Sequence, residues 1–107
     1  MLEILQGTEL PLGITLTDED TGETITGDDV ANMEIVIGNI RKTLTGGGVT
    51  YDAEHGQWIV PLAQEETFSM SPMIYEPQCR VVLNNGYIPG TTLSKVRIIE
   101  GQSKEVL

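Results

Sequence analysis

The chain has 107 residues with a single cysteine, and 16 acidic against six basic residues give a formal charge of −10. This length fits one domain, residues 1–107, and folding at this size removes roughly two-thirds of the unfolded surface from water, enough for a core without staples. The lone Cys79 excludes an internal disulfide and a cysteine-rich zinc knuckle, the charge opposes nucleic acid and anionic lipid, and apolar runs of three residues or fewer exclude a membrane-spanning helix.

The first residues, Met1 to Gly7, carry neither a basic n-region nor an apolar h-region, so no signal peptide is expected, and the lone cysteine assigns folding to a reducing compartment. The acidic residues form no run of five or six. Their charge therefore reads as solubility and self-repulsion before it reads as docking onto a basic surface.

From Leu12 to Thr17 the apolar residues fall on every second position, which predicts a half-buried strand with Leu12, Ile14 and Leu16 on one face. The acidic stretch Asp18 to Glu23 reads as a polar β-turn and is also the best candidate for a hard cation, although it lacks the downstream glutamate of an EF-hand. After a polar connection from Thr24 to Asn32, Met33, Ile35 and Ile37 repeat the alternation. Gly46-Gly47-Gly48 reads as a glycine-rich hairpin, because no Lys-Ser or Lys-Thr follows it as in a phosphate cradle. Tyr51 to Gly56 reads as the next hairpin turn, leading into a third inward set of Trp58, Val60 and Leu62.

Residues 63–70, Ala-Gln-Glu-Glu-Thr-Phe-Ser-Met, are good helix formers enclosed by Pro61 and Pro72, which leaves room for one short helical turn. Tyr75 to Leu83 is the longest alternating run, with Tyr75, Pro77, Cys79, Val81 and Leu83 on one face. Pro77 lacks an amide donor, so a sheet edge or bulge is expected there. Asn84-Asn85-Gly86 tolerates positive φ and predicts a hairpin whose return strand spans Leu93 to Glu100. Strands and turns at this spacing make an all-β sandwich or barrel.

No catalytic template fits. His55 is the only histidine and lies in a turn, no serine sits in a Gly-x-Ser-x-Gly elbow, and adjacent Glu65 and Glu66 diverge on a helix. Neither an enzyme nor a cofactor or metal requirement is expected. Trp58 and Tyr75 align with apolar faces, which leaves Tyr51 and Tyr87 as candidate surface aromatics. Tyr87, beside Ile88 and Pro89, suits either a binding patch or a small core under its loop; Tyr51, Tyr87 and Ile88 are the candidate interaction residues.

The order of these features resembles a known family. Leu12 to Val36, with its Leu-Gly-Ile-Thr-Leu-Thr-Asp-Glu-Asp-Thr-Gly opening, is similar to the Ig-like N-terminal domain of phage baseplate upper proteins. So is Tyr51-Asp52 through Gly56-Gln57-Trp58-Ile59-Val60-Pro61-Leu62 to Glu65-Glu66-Thr67. Pro72-Met73-Ile74 stands where that family usually has a glycine before Tyr75. The resemblance implies an Ig-like antiparallel β-sandwich and a non-catalytic tail or baseplate protein of a phage or prophage. It further implies synthesis in the host cytoplasm, incorporation into the virion, and other virion or tail proteins, or the chain itself, as partners. The alternatives are a stand-alone carbohydrate- or surface-binding module and an acidic inhibitor of a basic enzyme surface.

Overall fold

The eight residues Val30–Ile37 form β3, whose side chains alternate between core and surface as the sequence predicts, with Met33, Ile35 and Ile37 buried. Val30 is buried too, which simple alternation from Met33 would forbid. A β-bulge resolves the parity: Val30 pairs with Leu83 and Asn32 with Val82, so Ala31 is an extra residue that turns Val30 back toward the core. The expected polar connection is thus shorter than Thr24 to Asn32 and also supplies buried Ile25, with a 3-10 turn at Gly27–Asp29 between them.

The computed structural model describes residues 1–91 and 93–103. It is an all-β sandwich of three three-stranded sheets. In the first, β3 lies between β4 (Ile40–Thr43) and β8 (Gln78–Leu83). The β3–β4 loop is only Gly38-Asn39, with Gly38 at φ 58°, the first-position glycine that a type II′ hairpin turn requires. In the second, β6 (Gln57–Leu62) lies between β2 (Leu10–Ile14) and β5 (Thr50–Asp52), all antiparallel. In the third, β9 (Val96–Ile99) lies between β1 (Leu2–Leu5) and β7 (Ile74–Tyr75). Inward residues of all three sheets meet in one cluster that includes Ile4, Leu12, Ile35, Trp58, Val60, Val81 and Ile98. The helical turn is α1, Gln64–Phe68, inside the predicted 63–70, and Met70 beyond it is buried.

Five expectations change. The run from Tyr75 to Leu83 is two strands, because Pro77 cannot donate to a ladder: β7 pairs with β9 while β8 pairs with β3, in different sheets. The return strand does not close a hairpin on β8. Past the Asn84-Asn85-Gly86 turn the Leu83 amide reaches only Tyr87 O, at 2.9 Å, and β9 instead pairs antiparallel with β7 and parallel with β1. That parallel pair departs from a purely antiparallel sandwich. Gly46-Gly47-Gly48 is no hairpin either: it carries the chain from β4 in one sheet to β5 in another, with Gly47 at φ 80° and the Gly48 amide donating to Thr43 O. Finally, the first alternating strand starts at Leu10 and its ladder ends at Ile14, while Leu16 stays fully buried and accepts a backbone bond from Ile25.

Candidate interaction surfaces

On β3, residues that alternate with the buried set must face water, and Glu34 is one of them. The register places Arg80 of β8 directly opposite Glu34, and Arg41 of β4 lies on the diagonal beside its Thr43 partner. Both arginines close on the carboxylate. Arg80 donates Nε and an η-nitrogen to Oε1, at 3.2 and 2.8 Å, and Arg41 donates Nε to Oε2. These bonds, Arg80's first and Arg41's second, hold the Glu34 carboxyl below its ordinary value, and the carboxylate in turn raises Arg80. Beside them Asn32, Thr43, Val82 and Ile88 surround a shallow depression.

A carboxyl with a depressed folded pKa contributes stability that is present above its unfolded value and lost as pH falls through its folded value. The stability gap between wild type and Glu34→Gln is therefore expected to be constant at neutral pH and to close as pH drops below about 4. Urea titrations of both proteins at a series of pH values measure it; a gap that widens in acid would contradict the assignment. The gap itself is small, because both arginines remain in water.

Ile88 connects this face to the loop singled out from the sequence. Tyr87 and Ile88 are 46% and 59% exposed, whereas Pro89 is buried, so the loop holds itself down by the proline and presents the other two side chains. The Tyr87 hydroxyl donates to Asp20 Oδ2 at 3.1 Å, which ties the loop to the acidic turn and raises the phenol's pKa. Tyr51 belongs elsewhere. It is half-buried, its ring centroid 4.8 Å from that of Trp58, and a Cβ added to Gly27 would lie 2.6 Å from its ring. Trp58 is fully buried, so neither of these two rings offers a flat exposed platform for a sugar.

The acidic turn folds around one of its own carboxylates. Asp18 is nearly buried and accepts from the amides of Asp20 (2.8 Å) and Thr21 (3.4 Å), while Thr17 and Thr24 bridge the turn's base. One cluster went unnoticed in the sequence. His55 Nδ1 lies 2.8 Å from Asp52 Oδ2, and with Glu54 the three offer ligand atoms within 4.8 Å of one another on an exposed hairpin tip. The signal was present as Asp-x-Glu-His running from the last residue of β5 into the four-residue loop before β6. The Asp52 carboxyl is lowered first by the histidine bond, and its other oxygen accepts from the Glu54 and His55 amides, the usual work of an aspartate at a turn.

Cys79, read as a core residue, is half-buried and packs against the core's edge. Burial pushes its thiol up to about 12, so almost none of it is thiolate near neutrality. At pH 8 a thiol reagent is expected to react with the native chain at least about tenfold more slowly than with the urea-unfolded chain, as followed by absorbance of the released chromophore. Equal rates would show that the side chain is open to solvent.

Comparison of the chain with family models, with curated proteins and with solved structures finds no match.

Proposed function

We propose that this is a non-catalytic structural protein of a phage or prophage tail or baseplate, acting through contacts with other virion proteins or with itself. The observation that carries the assembly part is where the exposed apolar side chains lie: on sheet faces and one short loop, next to ion pairs. Ile88 beside the Arg41–Glu34–Arg80 cluster is one such place. An apolar contact with arginine beside it and a polar rim is the anatomy that protein interfaces favour. The phage part rests on the likeness of Leu12 to Val36 and of Tyr51 to Thr67 to the baseplate family. Synthesis in the host cytoplasm and incorporation into the virion go with that reading.

Co-expression with the products of the genes flanking its own tests the proposal. A complex with a tail or baseplate protein, weakened by Ile88→Lys or Arg80→Glu, is the expected result. Flanking genes for metabolism or polysaccharide synthesis, or no association with any tail product, would overturn it.

A further inference from the structure

Of the eight large apolar side chains that stand most exposed among the described residues, six lie on or beside the third sheet: Met1, Leu2, Leu5, Met73, Ile74 and Ile99. The register sorts them by face. Ile4, Val96 and Ile98 point into the core, so Glu3, Leu5, Arg97 and Ile99 point out, and Ile74 stands opposite Arg97 on the outer side. The outer face is thus two rows across three strands. Glu3, Arg97 and Ile74 make one row, and Leu5 against Ile99 makes the next. Leu5, Ile74 and Ile99 are 52%, 40% and 39% exposed; Leu5 and Ile99 are in register and Ile74 lies on the diagonal from Ile99, which makes a patch and not a scatter of single residues.

We propose that this face binds a second copy of the chain. The charge distribution selects that occupant. Each copy carries a formal charge of −10, so two copies repel wherever acidic loops meet, but this face pairs Glu3 with Arg97 and, at its edge, Glu76 with Lys95, so its charges cancel. A strongly basic partner would find its complement at the acidic turn Asp18 to Glu23, which is tied to the Tyr87 to Thr91 loop. An isologous contact needs a surface that complements itself, and a face with Glu3 next to Arg97 does so, because a two-fold axis lays the arginine of one copy on the glutamate of the other. Within one copy their separation is 3.7 Å and both side chains are half-exposed, so exchanging partners across the axis costs little. The Leu5–Ile99 row on one side and Ile74 at the end of the charged row supply the area removed from water.

The inference deepens the assembly reading by naming a partner and a surface, and it is tested separately. Sedimentation equilibrium on the whole chain is expected to show a concentration-dependent dimer. Ile99→Lys and Arg97→Glu should each raise the dimer dissociation constant roughly a hundredfold. The charge-swapped double variant Glu3→Arg/Arg97→Glu should recover most of the loss that Arg97→Glu causes. Thermal melts at concentrations where all are monomeric should coincide, which separates a lost contact from a lost fold. A wild-type chain that stays monomeric at every concentration, or an Ile99→Lys chain that dimerises as well as wild type, overturns the proposal. A monomer that still binds tail proteins would leave the assembly reading standing without this face.

Discussion

Trp58→Ala is expected to leave little folded protein at physiological temperature. Trp58 is fully buried in the centre strand of its sheet, with Ile14 of β2 opposite on one side and Tyr51 of β5 on the other. Its ring is 4.8 Å from that of Tyr51, and its indole Nε1 donates to Ile25 O at 3.2 Å, fastening the segment that leads from the acidic turn into β3. Removing a buried tryptophan side chain costs about 3–5 kcal/mol in lost transfer energy and residual cavity. The Ile25 carbonyl, left buried without its donor, adds about 1–3 kcal/mol. Whole domains hold about 5–15 kcal/mol, so the sum takes most of it. Trp58→Phe keeps much of the volume and loses chiefly the hydrogen bond. It should lower the melting midpoint by one step of about 4–8 °C per kcal/mol, where Trp58→Ala shows no cooperative transition. Far-UV circular dichroism with temperature and urea measures both. Equal losses in the two variants would mean that the indole N–H, not the ring volume, holds this region together.

The residues that make Trp58 so costly to lose were the legible ones. Met33, Ile35 and Ile37, and Trp58, Val60 and Leu62, declare their inward face through alternation, which depends on the strand alone and not on its neighbour. Which strand pairs with which is different. Val96 and Ile98 alternate inward within the expected return strand, but that pattern fits any neighbour equally, and the choice of β1 and β7 depends on contacts far away in sequence. Val30 escaped notice because the bulge at Ala31 breaks the parity on which such reading relies. The surfaces divide in the same way. Tyr87 and Ile88 stand in a loop marked on both sides by turn residues, whereas Tyr51 occupies a strand of three residues, too short for alternation to reveal its face. The Arg41–Glu34–Arg80 cluster and the Leu5–Ile99 patch exist only through register. No local pattern announces them.

Gln6→Leu is expected to be the most damaging change at a polar residue. The Gln6 side chain donates to Met70 O at 2.8 Å and accepts from the Gly101 amide at 3.0 Å, both in buried surroundings. It therefore joins the end of β1, the chain after α1 and the chain after β9. Thr67, fully buried one turn away, adds a second fastening: its hydroxyl accepts from the Gly7 amide at 3.0 Å and lies 2.9 Å from Thr8 O, to which it donates. Leucine at position 6 strands an acceptor and a donor, each costing about 1–3 kcal/mol, while Thr67→Val strands the Gly7 amide and leaves the carbonyl of exposed Thr8 to water. Gln6→Leu should thus destabilise by about twice as much as Thr67→Val, and the double variant by less than the sum, since both tie the same loop. Hydrogen exchange at Gly101 reports the break directly: its amide should lose protection in Gln6→Leu and keep it in Thr67→Val. Gln6 also continues the ladder through its own amide, which donates to Ile99 O at 2.9 Å, so this knot fixes the parallel pairing that sets Leu5 beside Ile99. The two kinds of variant should then part company. Gln6→Leu lowers stability and self-association together, because it loosens the strands that form the face, whereas Ile99→Lys lowers self-association alone.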